Sequence, residues 1–278
     1  MKKCRLVIPS GSLLEATTLL LKKVGVVINF DGRKFMCKVD ESDLITAVYF
    51  DRPQDIPLGI AMGAYDMGVC GWDSVVESGL EAQIVKIAGL KYAKKSRRVA
   101  RVVVFGKTDK LIDSENILVA TEYSNLAKLI FKKAKIVYSN GCTETKVLYG
   151  GYDYGIGVTE TGDSLEANGL KTAAMILESP TVLIAKHETP EIKLFGEILC
   201  GALAAEKQVI LKFDCGGQTK NDILVWLPAI EAPTVNQLSN GDFAIETILR
   251  KEELANQLIR LKLAGATGII VQDFNIIL

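Results

Sequence analysis

The sequence is short of the residues that most often mark a catalytic or metal centre. It contains a single histidine, His187, and six cysteines that are spread along 278 residues without a CxxC pair. That spacing argues against a disulfide framework or a zinc site and predicts reduced thiols that are mostly packed in the core. His187 follows a predicted strand and lies outside every motif, so we expect it to be a surface residue.

The sequence also lacks an excess of charge and a long hydrophobic run. Its 33 basic and 33 acidic side chains cancel, so no overall field attracts nucleic acid or an anionic membrane, and a small-molecule partner is favoured. The first residues, MKKCRLVIPSGSL, have an apolar run that stops at Pro9. No stretch approaches the roughly 18 apolar residues of a membrane span. We therefore expect a cytoplasmic protein.

Short apolar runs alternate with helical patterns, which is typical of an α/β protein. One series of strands and helices runs from CRLVIP to AQIVKIA, and a second runs from RVVVFG to YGIGVT. The two series predict two similar lobes, as in the type II plan of periplasmic binding proteins. The predicted ranges are 1–98 with 185–205 for the first lobe and 99–184 for the second.

The pattern changes near residue 206. Two β-strand patterns with a helix between them are followed by a strand, a helix and a final strand, and the residues Ser239-Asn240-Gly241-Asp242 form a hairpin signal between the second and third strands. The order β-α-β-β-α-β is the ferredoxin-like plan. We predict that residues 206–278 form a separate domain.

The segment VTETGDSLEANGL (158–170) predicts an anion-binding loop at the start of a helix. Thr161 and Ser164 offer hydroxyls, Gly162 allows the backbone to approach a ligand closely, and Asn168-Gly169 suits a left-handed helix end. Unpaired amides and the positive end of the helix dipole meet at such a junction, where phosphate is the usual ligand. The alternative is that Thr161 only caps a surface helix.

Seven fragments occur in order along the chain: IPSGSL (8–13), FDRPQDIP (50–57), AYDMGVCGWDSVVESG (64–79), KKSRRVARVVV (94–104), VATEYSNL (119–126), TETKVLYGGYD (143–153) and VTETGDSLEANGL (158–170). Together they resemble the ATP phosphoribosyltransferase family of histidine biosynthesis. The C-terminal part, with APTV (232–235), SNGDFAIETI and LKLAGATGIIV, resembles the regulatory domain of the family's long form.

The resemblance implies transfer of a phosphoribosyl group from phosphoribosyl pyrophosphate to N1 of the adenine of ATP, with release of pyrophosphate and with Mg²⁺ as cofactor. It also implies inhibition by histidine and a homo-oligomer, a hexamer that interconverts with a dimer. Displacement at an anomeric carbon builds positive charge on the sugar. Such chemistry depends on positioning and electrostatics and requires no nucleophilic side chain.

The resemblance and the strand-end positions assign residues to three sites. The phosphoribosyl pyrophosphate site comprises Glu144, Asp153, Thr159, Glu160, Thr161, Gly162, Asp163 and Ser164. The nucleotide site comprises Ser10, Gly11, Arg52, Asp73 and Tyr123, at ends of strands where α/β sheets place ligands. The regulatory histidine site comprises Thr234, Ser239, Asp242 and Ala266. For Arg52, the alternative is an ion pair with Asp51 or Asp55.

Three positions depart from the family pattern. Ser10 stands where the family often has lysine, Gly157 stands where it usually has aspartate, and Asp163 adds a negative charge inside the phosphate loop. These departures leave two other functions open. One is a catalytically degenerate paralogue that binds nucleotides and amino acids, and the other is a phosphoribosyltransferase that acts on a different base.

Overall fold

The computed structural model describes residues 3–28, 35–39, 42–92 and 99–278. The chain divides into two compact units, Met1–Cys200 and Gly201–Leu278. Arg97 and Arg98 of the fragment KKSRRVARVVV, and the predicted lobe boundary at residue 98, lie outside the described residues.

The first lobe has the predicted alternation of strands and helices. In chain order its elements are β1 (Cys4–Pro9), α1 (Leu14–Lys23), β2 (Met36–Lys38), β3 (Ile45–Asp51), α2 (Ile56–Ala61), β4 (Met67–Gly71), α3 (Trp72–Ser78) and β5 (Val85–Leu90). Strand β1 runs parallel to both β3 and β4 and lies between them. Nearly every residue of β1 and β4 is buried, as expected for parallel strands inside a sheet.

The second lobe repeats this plan. Its elements are β6 (Ala100–Gly106), β7 (Leu118–Thr121), α4 (Ser124–Ile130), β8 (Lys135–Tyr138), α5 (Thr143–Tyr149), β9 (Tyr154–Thr159), α6 (Asp163–Ala167) and β10 (Lys171–Ser179). Strand β7 runs parallel to β8 and β9 on either side, whereas β6 and β10 are antiparallel. Each lobe therefore contains three adjacent parallel strands with the first in the middle, which confirms the predicted two-lobed α/β core.

Strand β11 (Thr181–Ala185) returns the chain to the first sheet, and α7 (Pro190–Ala205) follows it. Strand β11 pairs antiparallel with β4 and with β5. The sequence-based range of 99–184 for the second lobe is corrected by this pairing, because that lobe ends near Ser179. An apolar run predicts a strand but does not identify the sheet that the strand joins.

The C-terminal unit has the predicted ferredoxin-like order. Its elements are β12 (Gln208–Cys215), α8 (Gly217–Trp226), β13 (Thr234–Gln237), β14 (Phe243–Arg250), α9 (Leu254–Leu263) and β15 (Thr267–Gln272), and the strands are arranged β13-β14-β12-β15. Alternate residues of β12 are buried in one apolar core with residues of both helices, including Leu211, Phe213, Ile223 and Leu261. This alternation matches a sheet that carries helices on one face.

The cysteines and the histidine have the predicted environments. All six cysteines lie outside disulfides, and Cys4, Cys37, Cys70 and Cys215 are buried. His187 is exposed just after β11. Within the described residues, no helix has both the length and the apolar character of a transmembrane segment.

Asp113 ties the loop before β7 to the segment after α4. Its carboxylate accepts the amides of Lys132, Lys133 and Ala134 at 2.8 to 3.2 Å. These hydrogen bonds, that of Lys132 first, lower the pKa of Asp113. A lowered pKa stabilises the folded state above the ordinary carboxyl pKa, and the stabilisation is lost as the pH falls through the folded-state pKa.

We therefore expect Asp113→Ala to lower the urea midpoint at neutral pH, and we expect its difference from wild type to shrink as the pH falls towards about 2. Equilibrium urea unfolding at several pH values measures this. Asp109→Ala, in the same loop and exposed, is the control and should have little effect at any pH. If the urea midpoints of Asp113→Ala and wild type differed by the same amount at every pH, the charge of Asp113 would not be the cause of the stabilisation.

Candidate functional site

The carboxyl ends of parallel strands from both lobes meet at one cavity of about 340 Å³. Gly71 and Asp73 come from the end of β4, and Thr159 and Glu160 come from the end of β9. The other lining residues are Ser12, Leu13, Pro53, Gln54, Ser74, Tyr92, Ala100, Tyr123, Val158, Ser179 and Thr181. This is the edge of a sheet at which α/β proteins bind ligands.

Asp73, at the start of α3, is a buried acidic side chain of the cavity. It is 8% exposed. Its Oδ2 accepts the phenolic hydroxyl of Tyr123 at 2.8 Å, and its Oδ1 accepts the hydroxyl of Ser179. The Asp73 amide in turn donates to Ser179 Oγ at 2.8 Å. One buried carboxylate is thus held by groups from the second lobe.

Tyr123 keeps its proton in this environment. Burial raises the pKa of the Tyr123 phenol, and the charge of Asp73 and the hydrogen bond to it raise that pKa further. The phenol is therefore a hydrogen-bond donor at neutral pH. Together, Asp73 and Tyr123 give the cavity a fixed carboxylate, and the structure brings these two predicted nucleotide residues into direct contact.

The segments that join the lobes are tied to each other beside the cavity. Thr181 donates its hydroxyl to the carbonyl of Tyr92 at 3.0 Å, and the Tyr92 hydroxyl lies 2.7 Å from Thr17 Oγ1 on α1. Tyr92 follows β5, and Thr181 begins β11, so each belongs to one of the two crossings. These bonds fix the segments about which the lobes could rotate.

Glu122 adds a second carboxylate, next to Tyr123. It accepts a hydrogen bond from Gln54 Nε2 of the first lobe at 3.3 Å. Burial raises the pKa of Glu122, the Gln54 hydrogen bond lowers it, and the charges of Asp73 and Glu144 raise it. Negative charge on this side of the cavity therefore acts on Glu122, and a cationic group near it would be favoured.

The predicted phosphate loop begins at the cavity wall, with Thr159 and Glu160, and continues into solvent. Gly162 has φ 88° and starts the five-residue helix α6. Its amide donates to Thr159 Oγ1 at 2.9 Å, and the Asp163 amide lies 3.4 Å from Thr161 Oγ1. Thr161, Asp163 and Ser164 are exposed. The predicted left-handed helix end is found at Gly169, where φ is 71°.

Two of the five predicted nucleotide residues, Asp73 and Tyr123, line the cavity. Ser10 and Gly11 immediately precede the lining residues Ser12 and Leu13, and Arg52 precedes Pro53 and Gln54. The Arg52 guanidinium is exposed and forms no ion pair with any residue that the structure describes. The alternative pairing of Arg52 with Asp51 is not found, because the Asp51 carboxylate accepts the Arg52 backbone amide and the Tyr65 hydroxyl.

The structure does not bring Asp153 to the phosphate loop. This residue precedes β9, whereas the loop follows β9, so the full strand separates them. Asp153 Oδ2 accepts the amide of Leu118 at 2.8 Å, and Asp153 therefore fixes the start of β7 beside β9. Its prediction is corrected to a structural role. Glu144 is in the first turn of α5, at the edge of the sheet where the parallel strands end. There its charge raises the pKa of Glu122.

Gly157 leaves room for the side chain that the family resemblance leads one to expect. It lies in β9 opposite Val103 of β6. A Cβ atom at Gly157 would lie 3.5 Å from Phe105 Cε1, which is an ordinary van der Waals distance. By contrast, a Cβ at Gly155 would lie 2.5 Å from the same ring. The absence of a side chain at 157 is therefore not imposed by packing at the Cβ position.

The four residues predicted to bind regulatory histidine are spread over the C-terminal sheet. Ser239 and Asp242 lie in the turn between β13 and β14, where the Asp242 carboxylate accepts a hydrogen bond from Asn240. Thr234 is at the other end of β13. Ala266 is buried and precedes β15, which lies at the opposite edge of the sheet from β13. These four residues therefore do not lie together at a single site in the C-terminal unit.

Sequence reasoning missed most of the lining residues, among them the polar side chains of Gln54, Tyr92 and Ser179, and it also missed Glu122 beside Tyr123. Gln54 and Glu122 stand inside fragments that carried the family resemblance, next to Pro53 and Tyr123, and their strand-end positions were an available signal. Ser179 and Tyr92 lie where the chain passes between lobes. Their roles depend on contacts over long sequence separations, such as the 106 residues between Asp73 and Ser179.

The fold and the site define a two-lobed α/β protein that has a ligand cleft between its lobes, together with a separate βαββαβ unit. The family model for ATP phosphoribosyltransferase matches residues 52–203, and the model for the HisG C-terminal domain matches residues 205–275. The chain therefore belongs to the ATP phosphoribosyltransferase family, in its long form. It is a phosphoribosyltransferase of histidine biosynthesis.

Individual relatives agree with this assignment over almost the whole chain. ATP phosphoribosyltransferase from Pelotomaculum thermopropionicum is 36% identical over 284 residues, covering 96% of each chain. The enzyme from Desulforudis audaxviator is 36% identical over 289 residues, covering 98% of each. Among solved structures, the ATP phosphoribosyl transferase (HisG:HisZ) complex from Thermotoga maritima matches with a TM-score of 0.56 and 24% identity, covering 66% of this chain and 87% of that chain. Nothing in these comparisons favours a degenerate paralogue.

Proposed function

We propose that the cleft transfers the phosphoribosyl group of phosphoribosyl pyrophosphate to N1 of the adenine of ATP and releases pyrophosphate. The observation that carries the proposal is the convergence of both lobes on one cavity, with Thr159 and Glu160 of the phosphate loop on one wall and the Asp73–Tyr123 pair beside them. The loop binds the 5′-phosphate, and the region around Ser10, Gly11 and Arg52 binds the nucleotide.

The side chains of the cleft suit a displacement that needs no covalent intermediate. As the bond from the anomeric carbon to pyrophosphate breaks, positive charge develops on the ribose ring. Fixed carboxylates stabilise such a charge. Asp73 provides one in the cavity, and Glu122, next to the lining residue Tyr123, provides another that is partly removed from water. The lobes bring N1 of the base and the anomeric carbon together, which lowers the entropic part of the barrier. Arg52 lies where its guanidinium can bind a phosphate group in a bidentate way.

Mg²⁺ is proposed as the cofactor that enters with the pyrophosphate. Among the described residues, no group of three carboxylate, thiol or imidazole side chains is placed to enclose a metal ion. This suits Mg²⁺, which usually binds one or two carboxylates and substrate phosphates and keeps several waters. Glu122 and Glu144 are the side chains that would supply oxygen ligands. When bound, the ion neutralises charge on the leaving pyrophosphate.

The proposal is tested by mixing the purified protein with ATP, phosphoribosyl pyrophosphate and Mg²⁺ and following the ultraviolet absorbance of phosphoribosyl-ATP. The expected result is product formation that requires all three additions. Binding of both substrates without product would support the degenerate paralogue. Product with another base, and none with ATP, would support a different phosphoribosyltransferase.

Gly157→Asp should raise kcat/KM about tenfold, because the added carboxylate can hydrogen-bond the ribose hydroxyls and a factor of ten corresponds to about 1.4 kcal/mol. Gly157→Asn, which has the same shape without the charge, is the control and should give a smaller gain. Steady-state kinetics with varied phosphoribosyl pyrophosphate measures both. A Gly157→Asp rate equal to or below that of Gly157→Asn would show that position 157 does not limit the enzyme.

The C-terminal unit is proposed to inhibit the enzyme when histidine binds, in a cytoplasmic homo-oligomer that changes between dimer and hexamer. Its supporting feature is a sheet with β13 and β15 as edges, because strand edges and sheet faces readily pair with copies of themselves. Inhibition requires that histidine binds one state better than the other. Millimolar histidine that changes neither turnover, melting temperature nor sedimentation would refute this regulation.

A further inference from the structure

Helix α3 of the first lobe presents two carboxylates, one turn apart, to one short segment of the second lobe. Asp73 accepts the Tyr123 hydroxyl, as described above. Glu77, four residues later and therefore on the same helix face, accepts the amides of Asn125 and Leu126. Residues 122–126 are thus held from the first lobe at both ends, and Glu122 itself meets Gln54.

The contacts of Glu77 are numerous and reach across the lobes. Its two carboxylate oxygens lie 2.9 and 3.1 Å from the Asn125 amide, and Oε2 lies 2.9 Å from the Leu126 amide. The Asn125 side chain returns a hydrogen bond of 2.8 Å to the Glu77 carbonyl. These bonds span 48 and 49 residues of sequence.

Helix α4 depends on Glu77 for its cap. The residue at its N-cap position is Tyr123, whose side chain makes no cap hydrogen bond because its hydroxyl is directed to Asp73. The first amides of a helix have no partner inside the helix, and a carboxylate near them is favoured by the helix dipole. For α4 this carboxylate comes from the other lobe, so contact between the lobes here stabilises the start of α4.

We propose that Glu77 is a positioning residue for phosphoribosyl transfer, which holds the start of α4 against α3 so that Tyr123 and Glu122 stay at the cavity. Glu77 is not among the residues that line the cavity. It therefore acts through Asn125 and Leu126 of the second lobe, whose amides it binds. The inference depends on the proposed function for its kinetic test. It also predicts that the lobes are already joined on this side before substrate binds, which reduces the entropy lost on binding.

The kinetic test compares Glu77→Ala and Glu77→Gln with wild type. We expect Glu77→Ala to lower kcat about 10- to 100-fold with a smaller change in KM, because misplaced cleft groups affect the transition state most. Glu77→Gln should recover most of the rate, since its amide oxygen can still accept the two backbone amides. Glu81→Ala, an exposed carboxylate of the same lobe, is the matched control and should stay within about twofold of wild type.

A merely structural role for Glu77 would give a different result. Glu77→Ala would then melt at a lower temperature, but its kcat would equal that of wild type at temperatures where both are folded, and this outcome would overturn the proposal. If Glu77→Ala fails to fold, Asn125→Ala provides the second variant. It removes the side-chain bond to the Glu77 carbonyl and a 3.4 Å bond from Lys128 Nζ, but keeps the backbone amides that bind Glu77, so it should lower kcat in the same direction by a smaller factor. An unchanged kcat in Asn125→Ala would then count against the proposal.

Hydrogen exchange gives a readout that does not depend on the reaction. Peptides that cover residues 123–130 should exchange faster in Glu77→Ala than in wild type, and those of β7 and β9 should not change. Equal exchange of 123–130 in both proteins would overturn the proposal. A wild-type protein that forms no phosphoribosyl-ATP, but shows the expected exchange difference, would refute the proposed function and leave the role of Glu77 in holding α4 supported.

Discussion

Replacing Asp73 with asparagine should lower kcat/KM for phosphoribosyl transfer at least about 100-fold. The Asp73 carboxylate is buried and accepts the hydroxyls of Tyr123 and Ser179. Hydrogen bonds to a charged group contribute about 1.5–3 kcal/mol each, and 1.36 kcal/mol corresponds to a factor of ten in rate. Asparagine removes the charge and directs an NH₂ group at one of two donors, so the cavity loses both a negative charge and a fixed geometry.

Steady-state kinetics of Asp73→Asn, with both substrates varied, measures this effect. Asp66→Asn is the matched control, because Asp66 precedes β4 whereas Asp73 follows it, and because its partner is Arg5 rather than a cavity residue. The control should lose stability and keep its kcat/KM. If kcat/KM of Asp73→Asn stayed within about threefold of wild type, or if Asp66→Asn lost as much activity, Asp73 would not be specifically required for the reaction.

Gly162→Ala should raise KM for phosphoribosyl pyrophosphate at least about tenfold. Gly162 begins α6 with φ 88°, a conformation that costs an alanine about 1–2 kcal/mol. No atom lies within 4 Å of the Cβ position at Gly162, so the cost arises from the backbone rather than from a clash. The loop can relieve this strain only by changing the direction of the amides from Thr161 to Ser164, which are the groups proposed to bind the 5′-phosphate.

Gly169→Ala is the control for this substitution. Gly169 follows α6 with φ 71°, and its Cβ position is also free of neighbours within 4 Å. The two variants should therefore lower the melting temperature by similar amounts, while Gly169→Ala keeps the KM of wild type. Equal KM values in both variants, measured with saturating ATP, would mean that the loop geometry at Gly162 does not matter for the substrate.

Much of the fold could be predicted from the sequence because its strands are short, apolar and regularly separated by helical patterns. The hairpin at Asn240-Gly241 and the helix end at Gly169 were predicted from local backbone chemistry, and in the structure both glycines have positive φ values of 89° and 71°. The boundary between the lobes near β11 was predicted less well, because the pairing of β11 with β4 and β5 depends on tertiary contacts.

The site was predictable where it depends on strand ends and was not where it depends on contacts between lobes. Asp73, Tyr123 and Thr159 follow or end parallel strands and line the cavity. Asp153 was assigned to the loop from the family resemblance, and the structure places it at the opposite end of β9. Glu77 and Ser179 gave no local signal, because their partners are 48 and 106 residues away.

The most direct measurement of the central claim is the position of the 5′-phosphate in a crystal structure of this protein with phosphoribosyl pyrophosphate. The account predicts phosphate oxygens within hydrogen-bonding distance of the amides and hydroxyls between Thr161 and Ser164, with the ribose directed towards Asp73. A 5′-phosphate bound elsewhere, with this loop in contact only with water, would contradict it.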